Sequence, residues 1–200
     1  PAFDELHFSA MPNPSSALAG IQSGEIDMVS ALDPEAALQL KGYKDVELEK
    51  YPGIRMHFIV LDTQHEILRD KQVRQALNHA VDVPLLIEAV LNDSGREAAT
   101  IVPREAFGFD PEVKPFTRDQ ERARALLEEA GYGDGLQLRF TASNEDQLVV
   151  EAIAGMLREV GVDLQLELLE PGTYAERRSS DNTQALGSMY LTGSTGWTLD

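Results

Sequence analysis

The clearest pattern of apolar and polar positions in this chain begins at Asp70. Apolar residues recur there at intervals of three and four, which is the period of an α-helix with one buried face. The residues with this spacing are Val73, Ala76, Leu77, Ala80 and Val81. The stretch DKQVRQALNHAV (70–81) is therefore predicted to be an amphipathic helix.

The same comparison of periods predicts strands and helices along the rest of the chain. Short alternating or continuous apolar stretches between turn signals favour strands. The predicted strands are FDELHF (3–8), EIDMVSAL (25–32), DVELEKY (45–51), IRMHFIVL (54–61), LQLRFTA (136–142), VDLQLELL (162–169) and QALGSMYL (184–191). The other predicted helices are SALAGIQSG (16–24), DPEAALQL (33–40), VPLLIEAVL (83–91), RDQERARALLEEA (118–130), a helix opened by Asn144 that runs through QLVVEAIAGMLREVG (147–161), and PGTYAERRSS (171–180). Residues 92–117 have little period and are predicted to form an ordered surface loop.

Capping residues mark several of the predicted helix ends. Ser15 or Ser16 is expected to cap the first helix, and Asp82 the helix that starts at 83. Thr117 and Gln120 have the spacing of a capping box in front of the helix over 118–130. These signals place the boundaries of the helices before any tertiary contact is considered.

The order of the predicted elements indicates the fold class. Strands and helices alternate along most of the 200 residues, as they do when helices cover a sheet. This length suits one large domain, or one domain and part of another. The prediction is an α/β fold.

The charge of the chain excludes some classes of partner. Its 34 acidic and 17 basic residues give a formal net charge of −17 at pH 7. This charge repels phosphate backbones and anionic membrane surfaces, so no nucleic acid or acidic membrane is expected as a partner. Cysteine is absent, which excludes disulfides, thiolate nucleophiles and Cys-based zinc sites.

The sequence contains no pattern typical of a catalytic or metal site. The histidines have no paired metal-ligand spacing and are expected to be structural; they are His7, His57, His65 and His79. No serine lies in a GxSxG pattern, and GYGDGL (131–136) follows a helix, so it is interpreted as a helix stop and a turn. No catalytic residue, metal or cofactor is predicted, and the chain is not expected to be an enzyme.

Three stretches, taken together, resemble a known family. They are SGEIDMV (23–29), VRQALNHAVDVPLLIEAVL (73–91) running on to FGFDP (107–111), and RARALLEEAGYGDGLQLRF (122–140). Their order and spacing resemble those of the extracellular solute-binding proteins of the peptide/nickel ABC-importer family, the dipeptide- and oligopeptide-binding group. Nearly the whole chain takes part in the resemblance.

The resemblance implies a fold and a division of the chain. Family members have mixed sheets flanked by helices in a two-lobed, periplasmic-binding-protein-like clamp that closes around a ligand by hinge motion. Residues 1–55 would then be the tail portion of lobe I and the approach to the hinge. Residues 56–200 would be most of lobe II, the ligand-binding lobe, without the return segment.

The resemblance also implies a function, partners and a location. The protein would be the substrate-binding component of an ABC importer, would capture a short peptide or related small solute, and would deliver it to permease subunits in the membrane. It would work as a monomer, without a cofactor, in the periplasm or as a cell-surface lipoprotein.

The end of the chain matches the family at a possible binding site. Peptide-binding members have W-x-x-D after the corresponding strand, and this chain has Trp197 and Asp200 at that spacing. The resemblance implies that Asp200 pairs with the free α-amino group of a bound peptide and that Trp197 lines the pocket. Tyr190 and Tyr174 are weaker candidates for pocket lining, and either could instead pack on the sheet.

Two alternatives remain open from the sequence. One is a ligand-sensing domain of a transcriptional regulator, for which an upstream helix-turn-helix pattern would be the evidence. The other is the same importer family with a non-peptide ligand, such as nickel, haem, an opine or a sugar.

Overall fold

The computed structural model describes residues 3–11, 13–30, 32, 34–49, 51, 55–104, 106–179 and 186–195. The chain divides into two compact units, Pro1–Pro52 and Gly53–Asp200. The boundary between lobes expected at residues 55 and 56 stays a prediction. The assignment of the two parts to lobes I and II stays a prediction.

The described part of the first unit includes two helices, α1 (Pro14–Ser23) and α2 (Pro34–Leu40). The side chain of Asn13 accepts a hydrogen bond from the Ser15 amide, so Asn13 caps α1 and the expected Ser15 or Ser16 cap is wrong. The Asn13 amide oxygen reaches the first free N–H of the helix, which a serine inside the helix cannot do. The helix ends at Gly24, as predicted, with φ +75°.

Three predicted strands are absent from the described part of the first unit. Residues 3–8, 25–30 and 45–49 are not in strands. Alternating polarity is a property of one segment, whereas a strand also needs a neighbour whose backbone supplies hydrogen bonds. No ladder reaches these described residues, so the pattern alone was misleading.

The described residues of the second unit form five α-helices around one sheet. The helices are α3 (Lys71–Ala80), α4 (Val83–Ala89), α5 (Gln120–Glu129), α6 (Gln147–Arg158) and α7 (Pro171–Ser179). A 3₁₀ turn, Asn144–Asp146, leads into α6. Asp82 caps α4 as predicted, with its carboxylate on the Leu85 amide at 3.0 Å.

One predicted cap in this unit is wrong. Asp119, not Thr117, caps α5, since its carboxylate accepts from the Arg122 amide at 2.8 Å. Thr117 lies two residues before Asp119, and its carbonyl oxygen is 3.0 Å from Nδ1 of His79. The capping-box spacing was therefore present in the sequence but two residues too far from the helix.

The sheet is mixed and has four strands. They are β1 (Arg55–Leu61), β2 (Leu136–Ser143), β3 (Val162–Leu169) and β4 (Met189–Thr195), in the order β1-β4-β2-β3. β4 is antiparallel to β1, whereas β2 is parallel to both β3 and β4. The structure confirms an α/β fold with a mixed sheet flanked by helices.

The strand β4 begins later than the sequence predicts. Gly187 has φ +81°, and the Ser188 hydroxyl exchanges hydrogen bonds with the backbone of Arg139 at 3.0 and 2.9 Å. At Ser188, the side-chain hydroxyl therefore makes the hydrogen bonds to β2 that a backbone group makes in a regular strand pair. Regular pairing with β2 starts only at Met189.

The core of the second unit lies between the sheet and the helices α3, α4, α5 and α6. Phe140 in the centre of β2 is fully buried, and Leu138, Leu127 and Leu157 are nearly so. The opposite side of β2 and β3 is polar where their alternate residues are exposed, as at Gln137 and Gln165. This alternation leaves one face of the sheet available for α7 and for its polar contacts with the strands.

Candidate functional site

The candidate site is the edge of the sheet at which the parallel strands end. β2, β3 and β4 finish there at Ser143, Leu169 and Thr195. The antiparallel strand β1 starts at the same edge, because Arg55 pairs with Thr195. Ligands of open α/β sheets bind outside the carboxyl ends of the strands, so a binding site is expected at this edge.

The residues that follow β2 and β3 make this edge acidic. The 3₁₀ turn contributes Glu145 and Asp146, and Glu170 follows β3 directly. The side-chain amide of Asn144 donates to the Glu170 carboxylate at 2.9 Å, which joins the two loops. A negative edge of this kind favours a ligand with a positive group.

Tyr174 lies on α7 and reaches β4. Its side chain is buried, with 6% exposed, and its hydroxyl donates to the backbone carbonyl of Leu191. Burial raises the pKa of Tyr174 to about 12, and the nearby Arg178 lowers it by a smaller amount. The phenol is thus a neutral hydrogen-bond donor at physiological pH. Of the two roles that the sequence left open, this placement favours packing on the sheet, and a ligand contact stays a prediction.

Tyr190 lies within β4 itself. It pairs with Val60 of β1 and with Thr141 of β2, and its side chain is partly buried. In a parallel pair, side chains of partner residues share a face, which places Tyr190 on the side of Thr141 and not on the side of buried Met189. Pocket lining by Tyr190 stays a prediction.

Trp197 and Asp200 lie outside the described residues. Both follow Thr195, the last described residue of β4, along the chain. Their predicted contact with a ligand is therefore untested by the geometry of the site.

Sequence reasoning missed a group of polar residues that fasten α7 to the sheet. Arg177 forms an ion pair with Glu167 of β3 at 2.7 Å, and Arg178 donates to the Thr192 hydroxyl at 2.6 Å. The Thr141 hydroxyl donates to the Leu186 carbonyl at 2.6 Å and is also 3.3 Å from the Glu167 carboxylate. Polar residues at alternate positions of β2 and β3, followed by two adjacent arginines, were the available signal.

A cavity lies near the opposite edge of the sheet. It is an open cleft of about 500 Å³ lined by polar groups and one glycine: Asp62, Gln64, His65, Arg139, Gln165, Gly187 and Ser188. Asp62 and His65 already accept hydrogen bonds from the backbone of their own turn, at Gln64 and Ile67. These contacts give the two side chains a structural role in the turn after β1.

Within the described part of the chain, no group of three or more metal-ligating His, Cys, Asp or Glu side chains comes together. Among the helices of that same part, none has the length and apolar character needed to cross a bilayer.

Comparison with known proteins identifies relatives for the entire chain. A family model described as Bacterial extracellular solute-binding proteins, family 5 Middle, matches residues 1–200. The dipeptide-binding protein of Escherichia coli (strain K12) is 30% identical over 207 residues, covering 100% of this chain and 37% of that protein. Heme-binding protein A of Haemophilus influenzae is 28% identical over 204 residues, covering 98% of this chain and 36% of that protein.

A solved structure shares the fold. The periplasmic binding protein DppA of Helicobacter pylori, in complex with the peptide STSA, superposes with a TM-score of 0.83 at 24% identity. The match covers 95% of this chain and 36% of that protein. The chain thus spans little more than a third of the length of the relatives that it matches.

Proposed function

Because the chain belongs to family 5 of the bacterial extracellular solute-binding proteins, we propose that it is part of the substrate-binding component of an ABC importer. This component captures short peptides between two lobes and delivers them to a membrane permease. The observation that supports this function is the match of one family model to the entire chain. The role is binding, without a chemical step, in the periplasm or at the cell surface.

In the proposed clamp, the two compact units belong to different lobes. The unit Pro1–Pro52 is the tail portion of lobe I and the approach to the hinge, and the unit Gly53–Asp200 is most of lobe II. Closure of two lobes removes the ligand from water, which strengthens every hydrogen bond to its charged ends. The protein works as a monomer that presents its closed form to the permease.

The peptide's α-amino group is the part of the ligand that the site recognises. Asp200 accepts a charge-assisted hydrogen bond from this ammonium group, and Trp197 shields the pair from water. Such a bond contributes about 1.5–3 kcal/mol. A ligand without the amine would leave a desolvated carboxylate unpaired and would bind more weakly. The acidic edge formed by Glu145, Asp146 and Glu170 adds a field of the same sign.

The test is the affinity of the full-length protein for a short peptide, measured by calorimetry. Asp200→Asn should weaken binding by about tenfold or more, since one charge-assisted hydrogen bond is lost. Asp134→Asn is the matched control, because it removes one exposed carboxylate from the turn before β2 and should leave the affinity unchanged. Native mass spectrometry of the purified protein that recovered only ligands without an amine would contradict the peptide assignment.

One relative favours a second candidate ligand class. The likeness to heme-binding protein A of Haemophilus influenzae supports a non-peptide ligand such as haem for the same clamp. This alternative predicts an absorption band of bound haem in the purified protein and no competition by peptides.

A further inference from the structure

The strand β4 loses one of its neighbours before it ends. It pairs with β1 over its whole length, from Met189 to Thr195. Its pairing with β2 comprises only Met189 and Tyr190. Beyond Tyr190, the described part of β4 therefore has a strand on one side only.

The helix α7 contacts β4 where this pairing stops. The Tyr174 hydroxyl donates to the carbonyl of Leu191, the first residue beyond the last β2 pair. Arg178 donates to the hydroxyl of Thr192, the next residue, at 2.6 Å. Tyr174 thus bonds to a backbone group of β4 beyond its last pair with β2, and Arg178 bonds to the side chain of the next residue.

The helix is itself fixed to the other strands. Arg177 pairs with Glu167 of β3 at 2.7 Å, and this carboxylate lies 3.3 Å from the hydroxyl of Thr141 in β2. The Glu170 carbonyl also accepts from the Tyr174 amide at 2.9 Å, which ties the first turn of α7 to the end of β3. Because α7 is held at several points, Tyr174 and Arg178 can hold β4 in place.

We propose that Tyr174 and Arg178 are positioning residues for ligand binding. By holding Leu191 and Thr192, they fix the strand from which the chain continues to Trp197 and Asp200. The inference rests on the proposed function, in which Asp200 pairs with the amine of a peptide. A strand that is loosely held must be ordered when the ligand binds, and this ordering opposes binding.

The experiment uses the full-length protein and one peptide in two forms. The dissociation constant is measured for the peptide with a free α-amino group and for its N-acetylated form. Tyr174→Phe should weaken binding of the free peptide by about threefold to tenfold and leave the acetylated form almost unchanged. A purely structural loss would lower both affinities together. The ratio of the dissociation constant of the acetylated peptide to that of the free peptide therefore separates positioning from stability.

Further variants keep the test decisive if Tyr174→Phe folds poorly. Thr192→Val removes the hydroxyl that accepts from Arg178 and should lower this ratio of dissociation constants. Arg178→Ala should lower it by a similar factor. Tyr132→Phe is the control, since this tyrosine packs against the helical core and should leave the ratio as in the wild type.

The outcomes separate the inference from the function on which it rests. If Asp200→Asn abolishes the preference for the free amine while Tyr174→Phe and Thr192→Val retain it, the positioning role is wrong and the proposed function stands. If the wild type itself shows no preference for the free amine, recognition by Asp200 is overturned, and the positioning role is overturned with it.

Discussion

At the scale of single residues, Tyr174 predicts how stability depends on alkaline pH. Burial raises the pKa of Tyr174 from 10.0 to about 12, so the folded state holds this proton more tightly than the unfolded state. The contribution to stability is complete below pH 10 and is lost as the pH rises toward 12. Over this interval the free energy of unfolding should fall by about 2 kcal/mol more in the wild type than in Tyr174→Phe. Urea unfolding at a series of pH values measures the difference.

The control for this prediction is Tyr132→Phe, which removes a tyrosine hydroxyl from the same unit. It should retain the alkaline fall of the wild type. Parallel curves for the wild type and Tyr174→Phe would show that the buried hydroxyl does not titrate above its ordinary range. The sequence left the role of Tyr174 open. A periodic pattern places a side chain on one face of an element without identifying the residue that it contacts.

At the scale of elements, the start of α5 distinguishes two possible caps. Asp119 accepts from the Arg122 amide at 2.8 Å, whereas the sequence pointed to Thr117. Asp119→Ala should lower the free energy of unfolding by about 1 kcal/mol, because an N–H of the first turn loses its acceptor. Thr117→Ala keeps the backbone carbonyl near His79 and should change stability by less than about 0.5 kcal/mol. Thermal or denaturant unfolding of the two variants decides between the caps, and a larger loss from Thr117→Ala would restore the sequence-based cap.

The elements also show what local sequence determines. The helices α3 and α6 were predicted from their period, since an amphipathic helix forms its hydrogen bonds within its own segment. The strands β2 and β3 were also predicted correctly, for a different reason. Both have a clear alternation of apolar and polar residues, and each pairs with the other in the sheet. Residues 3–8, 25–30 and 45–49 have comparable patterns but no partner among the described residues, and the sequence cannot supply that information. The fastening of α7 was missed for the same reason, because Arg178 and Thr192 meet only after the sheet has formed.

At the scale of the whole molecule, the two units have cores of very different size. Among the described residues of the unit Pro1–Pro52, the core cluster comprises Leu18, Ala36 and Leu40, with a few partly buried neighbours. The core of the unit Gly53–Asp200 extends through the sheet and four of its helices, α3 to α6. Stability scales with the apolar surface removed from water, so the first unit should open far more often than the second.

Hydrogen exchange followed by mass spectrometry tests this difference on the 200-residue chain. Amides of α1 and α2 should exchange orders of magnitude faster than those of β2 and α6. Phe140→Ala should lower protection throughout the second unit, since loss of a fully buried phenylalanine costs about 3–5 kcal/mol, and should leave α1 and α2 unchanged. Phe107→Ala is the control, because its side chain is 84% exposed and its removal should alter neither unit. If Phe140→Ala instead accelerates exchange in α1 and α2 by the same factor as in β2, the two units unfold together and their cores are coupled.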